Sequence, residues 1–571
     1  TSIHNINIPS QIEIIGNKAF FSCGKLTTVT FSNDSKLKKI ESFAFSKSLL
    51  SKISIPSNVI QIGKSSFSEC EKLEIVEFSP DIKIEMIDDD AFSSSGIFEI
   101  KIPSSVVQIG QNSFRNCRKL TSISFPDDSK LKIIGNSSFS YSSITKIKIP
   151  SHVKTVKESA FLGCNKLKTI EFSENSELTT IEKGAFMRSG IDHISIPRHV
   201  TEIGELSFNW CDKLKSIEFS DDSELLTINS KAFNSAFIEK ISIPKHVKVI
   251  GENVFGGCFR LKSLELPKDS ELEIIENDAF LSTGINEIFI PSKVKQIGER
   301  ALMWCRSLKR VVFADDCEIV SFENELFRQS PVEEINLPNK LRELKRGWCK
   351  EMRKLKEIKI SHENKHFLFI NNEYLINDIN NNNCKEEGEG GEGGGGRELT
   401  RLYFARRDLR ETKIINEINV IESYSFQFCN QLERIEFESS HKSNLEIIES
   451  SSFYSSSIKE IIIPSNTKTI KDNAFRYCKN LKSVTFSEGS KISYIGSNSF
   501  SGLSIEKISI PSSVEYIGEN AFFGCQNLTT VEFSKECKLS EIKDSTFSMT
   551  SIHNINIPSQ IEIIGNKAFF S

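Results

Sequence analysis

Apolar and polar residues alternate in short bursts along the chain, as in residues 120–125 (LTSISF) and 144–149 (ITKIKI). Such alternation predicts a short strand with one buried face, its intervening residues turned to solvent. The bursts recur at a fixed interval. Pro9, Pro56, Pro103, Pro150, Pro197, Pro244, Pro291 and Pro338 stand 47 residues apart, and Pro464, Pro511 and Pro558 resume the same step. A phenylalanine column lies 11 residues after these prolines, at Phe20, Phe67, Phe114, Phe161, Phe208 and Phe255. A second column lies 11 residues before the next proline, at Phe45, Phe92, Phe139, Phe186 and Phe233. Each 47-residue unit is therefore a double repeat of two coils. One coil cannot bury its own apolar face, whereas about 22 stacked coils share a continuous core, so the pattern predicts a repeat solenoid. Each coil should supply one alternating strand, and in every second coil a proline ends it because proline cannot continue a ladder. A second short extended piece and then a helical turn should follow, since segments such as that after Pro103 (SSVVQIGQNSF) are too short and too rich in Ser and Gly for a long helix. The fold expected is mostly β with short helical turns.

Composition adds exclusions. Among 571 residues, 72 Lys and Arg nearly balance 76 Asp and Glu, and a net charge of −4 gives no electrostatic case for nucleic acid. No apolar run is long enough to span a membrane. The 42 Phe against 8 Tyr and 3 Trp follow from one structural position being refilled in every coil.

The unit at residues 102–125 (IPSSVVQIGQNSFRNCRKLTSISF) resembles the BspA-like leucine-rich-repeat surface protein family, known from bacterial surface antigens and relatives in parasitic protists. The resemblance covers nearly the whole chain. It implies a leucine-rich-repeat solenoid and a non-enzymatic, adhesin-like protein at the cell surface or outside the cell, engaging host or extracellular-matrix proteins. A solenoid is a scaffold, however, and function must be argued from a site. An intracellular protein-interaction scaffold is the alternative, and cytoplasmic location goes with it.

The register breaks after Pro338, where 77 residues instead of 47 precede Ile415, which stands at a proline position. The chain thus divides into a solenoid over residues 1–360, an insert over 361–414, and a continuing solenoid over 415–571. The insert holds the Gly/Glu-rich run EEGEGGEGGGG within residues 384–397, a composition expected of a disordered tip. Its flanks HFLFINNEYLI and RLYFARRDL resemble the arms of a hairpin that related proteins insert. Residues 1–22 recur unchanged as residues 550–571, which points to a recent duplication, and the chain starts and stops inside a repeat, as a fragment would.

Of fourteen cysteines, eleven sit near one repeat position, among them Cys23, Cys70, Cys117, Cys164, Cys478 and Cys525. Same-column cysteines two coils apart would be ~9–10 Å from each other, beyond disulfide reach, and read as buried thiols lining a turn. Cys317 and Cys537 fill a column otherwise held by serines such as Ser129, which leaves Cys384 alone without a repeat role. The core columns expected are thus Phe20, Phe67, Phe114, Phe139, Phe161, Phe186, Phe208, Phe233 and Phe255, with Cys70, Cys117 and Cys164.

Catalytic signals are sparse. His362 to His366 (HENKH) satisfies the zinc-protease pattern HExxH, in which a helix puts both imidazoles on one face and Glu363 would be the base. Here the motif lies between apolar strand-like runs, so a metalloprotease-like site is a distant alternative. GEGGEG at 388–393 matches a dinucleotide fingerprint but lacks its flanking strand and helix. His152, His199 and His246 recur as turn residues too far apart to share one metal ion. Acidic turns such as residues 127–129 (DDS) could attract calcium, although hydrogen bonding of the turn is their ordinary role. Sequons at Asn33, Asn136 and Asn527 carry little weight in so Asn- and Ser-rich a chain. No catalytic or metal site is assigned, and no cofactor is expected.

What remains is the outward face of the strands, which solenoids use for protein binding. The candidate face comprises Thr28, Thr30, Ile75, Glu77, Lys101, Ser122, Ser124, Lys146, Lys148, Glu171, Glu218, Glu265, Phe289, Val312 and Ile462. Lys148 with Glu171, and Glu77 with Lys101, should be strand neighbours, and cross-strand pairing that merely keeps the face soluble is the plainer account of them. Outward Ile75, Phe289, Val312 and Ile462 point more to binding, since apolar exposure has no structural need.

Overall fold

The computed structural model describes residues 2–377 and 399–570. The chain forms two compact units, Thr1–Cys305 and Arg306–Ser571.

In the first unit the coils up to Glu265 each contribute one strand to each of two parallel sheets. The longer strands, from Asn5–Ile8, Thr28–Phe31 and Lys52–Ile55 through to Ser263–Glu265, make a twelve-stranded sheet; two-residue strands, from Ile14–Ile15 to Gln296–Ile297, make a thirteen-stranded one. Register follows the repeat. Lys146 to Ile149 stand opposite Thr169 to Phe172, residue for residue. Ile147 and Ile149 are buried while Lys146 and Lys148 are exposed, as period-two alternation demands. Pro150 ends its strand, and its carbonyl accepts the Val153 N–H at 3.2 Å to start the turn toward the short strand. Close coil stacking explains the glycine after the short strand Ile133–Ile134: a Cβ on Gly135 would lie 2.6 Å from the Ile109 carbonyl oxygen of the preceding coil.

The expected helical turns are absent; among the described residues there are strands and turns only. Around Phe20 the N–H groups of Ala19, Phe21 and Cys23 bond back three residues, to Gly16, Lys18 and Phe20. Those of Lys18, Phe20 and Ser22 instead cross to Ser42, Ala44 and Ser46 of the next coil. Lys18 and Ser22 adopt left-handed φ values of 57° and 55°, so the path cannot propagate as a right-handed helix. The cause is bonding between coils: half of the turn's donors are spent on the neighbour, so an i to i−4 ladder never forms.

The two phenylalanine columns of the sequence are one stack in space. Rings run Phe20, Phe45, Phe67, Phe92, Phe114, Phe139, Phe161, Phe186, Phe208, Phe233, Phe255 and Phe280, nearly parallel. Centroid separations run from 5.1 Å at Phe20–Phe45 to 5.6 Å at Phe255–Phe280. Each ring from Phe45 to Phe280 is fully buried, and Phe20 is half-buried in the first coil.

In the second unit Phe367–Ile370 and Tyr374–Asn377 form a tight antiparallel hairpin. Of the three residues between the strands, Asn371 and Asn372 have left-handed φ of 50° and 57°, which asparagine tolerates, and the Glu373 N–H bonds back to the Ile370 carbonyl at 2.8 Å. Tyr374–Asn377 then pairs antiparallel with Arg401–Ala405, which joins Val420–Ile421 in parallel and continues into the short-strand sheet. HFLFINNEYLI is therefore a hairpin in itself, and RLYFARRDL supplies a third strand. The buried Arg407 ties this insert to the coils: its guanidinium stacks 4.6 Å from the Phe404 ring centroid and donates to the carbonyls of Met352, Ser425 and Tyr424. A second phenylalanine stack, Phe426, Phe453, Phe475, Phe500, Phe522, Phe547 and Phe569, follows. Cys384, the GEGGEG motif and the expected tip lie outside the described residues.

Candidate protein-binding surface

Alternation places Thr28, Thr30, Ile75, Glu77, Lys101, Ser122, Ser124, Lys146, Lys148, Glu171, Glu218 and Glu265 on the exposed side of the twelve-stranded sheet. The strands hold them in rows one coil apart, about 4.8 Å. Much of the charge on this ribbon is internally paired. Lys52 reaches Glu77 at 2.7 Å, Lys146 reaches Glu171 at 2.6 Å and Lys240 reaches Glu265 at 3.1 Å. Ser54 and Ser195 add hydroxyl hydrogen bonds to Glu77 and Glu218. Thr30 donates to the Asn7 side-chain oxygen at 3.0 Å. The sequence places Lys148 opposite Glu171, and so do the strands, yet Glu171 pairs diagonally with Lys146 while Lys148 faces Asp127 at 3.7 Å. Glu77 likewise pairs with Lys52 of the preceding strand and not with Lys101. The lysine bonds hold the Glu77 carboxyl below the usual carboxylate range. These pairs are solvent-screened and contribute little net stability.

The apolar members differ among themselves. Ile75 is 46% exposed between Lys52 and Glu99, and in the second unit Ile462 is 53% exposed opposite Thr485. Phe289 and Val312 are half-buried.

The other motifs take structural places. HENKH follows the strand Glu357–Ile360 and runs through a turn, not a helix, so the two imidazoles share no helical face. Its organising residue is Asn364, which sequence reasoning passed over. Buried, it donates to the carbonyls of Pro338 and Leu341 and accepts the N–H groups of His366 and Phe367. His362 is largely exposed. His152, His199 and His246 each face a glutamate of the next coil, Glu177, Glu224 and Glu271. In the acidic turns the working group is the buried serine: Ser129 accepts the Leu131 N–H. Among the described residues no three His, Cys, Asp or Glu side chains are gathered as metal ligands.

The cysteine column has a role the spacing alone could not show. Cys70, Cys117, Cys164 and Cys211 donate S–H to the carbonyls of Phe45, Phe92, Phe139 and Phe186, at 3.0–3.1 Å. Ser48, Ser95, Ser142 and Ser189 of the intervening coil approach the same sulfurs at 3.4 Å. Burial pushes the Cys117, Cys164 and Cys211 thiols up to about 11.

The turn edge that carries this column also bears bulky exposed residues: Tyr141, Arg188, Trp210 and Phe259. For Tyr141 and Trp210 the legible signal was an aromatic residue two positions after a column phenylalanine, where Ser94, Asn116 or Gly163 stand in other coils.

No helix among the described residues is long and apolar enough to cross a membrane. No curated protein matches the sequence. Among solved structures, a leucine-rich repeat protein from Bacteroides ovatus shares 22% identity over 74% of this chain and 82% of its own, with a TM-score of 0.37. A leucine rich cell surface protein from Faecalibacterium prausnitzii shares 19% over 82% and 87%, with 0.30, and the pneumococcal vaccine antigen PcpA 22% over 62% and 79%, with 0.27. The BspA type leucine rich repeat region matches in six copies, over residues 1–121, 85–215, 179–309, 260–380, 397–494 and 446–571. Phenylalanine stack, paired parallel ladders and sequence match agree: the chain belongs to the BspA-type leucine-rich repeat family.

Proposed function

We propose that this chain is a non-enzymatic protein-binding scaffold of adhesin type, displayed at the cell surface and engaging host or matrix proteins through the outward face of its longer strands. The observation that carries the reading is the ribbon in the first unit. In-register strands hold a row of exposed hydroxyl and self-paired charged groups around Ile75, an exposed isoleucine with no packing duty. Because its ion pairs are already matched, such a surface binds by shape, hydrogen bonding and apolar contact, the terms that decide interface cores. Family membership supports surface display, and leucine-rich-repeat scaffolds as a class bind proteins.

The test is binding of the purified chain to a panel of immobilised matrix proteins, with Ile75→Glu beside it. Saturable binding to at least one panel member, weakened about tenfold by the substitution, agrees with the reading. Binding untouched by Ile75→Glu moves the interface off the strand face, and binding to none removes matrix proteins as partners.

A further inference from the structure

The strand face and the turn edge of the first unit differ in how their charge is used. On the turns that follow the stacked phenylalanines (residues 114–120, 139–144, 161–167, 186–191, 208–214, 233–238 and 255–261) stand Arg115, Arg118, Lys119, Lys166, Arg188, Lys213 and Arg260, against the single acid Asp212. Asp212 lies 3.7 Å from Lys213, and Lys119 is bound to Glu74. The four arginines form no ion pair with any carboxylate among the described residues. Three of them are set by neutral partners, while Arg115 lines the concavity beside Tyr141 together with Asp90. Arg118 donates to the Asn116 side-chain oxygen at 2.8 Å, Arg188 lies 6.0 Å from the Trp210 ring centroid, and Arg260 sits 4.4 Å from that of Phe237. A protein of net charge −4 with matched pairs on its strand face thus keeps a basic, aromatic strip on one edge.

Backbone geometry adds an independent observation. Tyr141, Arg188 and Trp210 have φ of 59°, 56° and 58°, and Gly163 and Gly257 fill the same turn position in other coils. Left-handed φ is costly for bulky residues, and glycine would fit without cost. Tyr141 recovers part of that cost by lying over Gly163, where a Cβ would meet its ring at 2.6 Å. Trp210 is 55% exposed and does not bury its face this way. A concavity sits beside Tyr141, lined also by Asp90, Ser94, Arg115, Asn116 and Arg118.

We propose that this edge, from Arg115 to Arg260, docks an extended acidic polypeptide segment of a protein partner. Arginine, tyrosine and tryptophan are the residues that dominate protein interfaces, and a guanidinium held against a ring is presented ready for a carboxylate. The ring of Phe237 is already faced by Arg260, which leaves less open aromatic surface for stacking a sugar and favours a polypeptide over an acidic glycan. Arg118, Arg188 and Arg260 recur every three coils, roughly 15 Å apart, so an extended segment would meet them with carboxylates about four to five residues apart. The proposal rests on the scaffold reading but names a different surface and a charged partner.

Fluorescein-labelled poly-L-glutamate and heparin, each titrated into the full chain with anisotropy as readout, test it. The expected result is saturable polyglutamate binding that weakens as salt rises. It should fall about tenfold in Arg118→Ser/Arg188→Ser/Arg260→Ser and severalfold in Trp210→Ala, and stay unchanged in Lys52→Ser/Lys146→Ser/Lys240→Ser. These exposed substitutions leave the stacked core alone. No saturable binding, or equal loss in both triple variants, overturns the proposal. Arginine-dependent binding of heparin without polyglutamate overturns the polypeptide claim in favour of a sulfated glycan. Matrix-protein binding lost in Ile75→Glu, in a chain that binds no polyglutamate, sinks this edge while leaving the strand-face reading standing.

Discussion

Phe139 and Lys148 stand nine residues apart in sequence and at opposite extremes of consequence. Phe139 is fully buried between Phe114 and Phe161, with centroids at 5.4 and 5.3 Å. Replacing it with alanine opens a cavity in the stack and should cost ~3–5 kcal/mol, whereas Lys148→Ala should cost under ~1 kcal/mol. Denaturant melts of the two variants check this, and equal effects would mean the register is wrong. The buried thiols make a second prediction. Their ordinary value is 9.0, and the folded values of Cys117, Cys164 and Cys211 are about 11. Between those values the unfolded chain has lost thiol protons that the folded chain keeps, so the thiols' stabilisation is complete below pH 9 and shrinks toward pH 11. The melting temperature should fall over that window, and less steeply when the three cysteines are serines. A window unchanged by the serines would contradict the assignment. Phenylalanine and cysteine spacing were fully legible in the sequence because a repeat displays each position many times. Which atom the sulfur addresses was not, because the accepting carbonyl belongs to a residue 25 positions earlier.

At the scale of the element, alternation and proline located the longer strands, and the two-residue strands fell where a second extended piece was expected. The helical turn failed for a physical reason: hydrogen bonds to the next coil compete with those along the chain, and a single repeat read alone cannot show that competition. HENKH fails similarly, since its spacing suits a helix while Asn364 bonds the segment into a turn. Asn364→Ala should therefore destabilise the second unit by about 2 kcal/mol through four lost hydrogen bonds. His362→Ala should change stability by less than about 0.5 kcal/mol. Hydrogen exchange of the 367–377 hairpin reports the difference, and protection lost equally in both variants would restore a role to the histidine. The insert's third strand was hidden for another reason. Its pairing with Tyr374–Asn377 joins segments separated by the Gly/Glu-rich run, and local pattern carries no register across such a gap.

For the whole chain, sequence balance and structural placement say different things. A net charge of −4 gives no electrostatic case for nucleic acid, yet it conceals how the charges are sorted: largely paired on the strand face, without ion pairs among the arginines of the turn edge. The strand-face residues named from alternation are exposed as expected, apart from the half-buried Phe289 and Val312, while the turn-edge aromatics escaped notice because only a few coils carry them at a position that Ser, Asn or Gly fills in others. Architecture was thus almost wholly legible, and of the two candidate surfaces only the one that follows the strand alternation. The function proposed for this surface requires that it meet partners outside the cell. The direct measurement is labelling of intact source cells with an antibody raised against the chain, beside a permeabilised control. The account predicts staining of the intact cells; staining only after permeabilisation would contradict surface display and turn the search to intracellular partners.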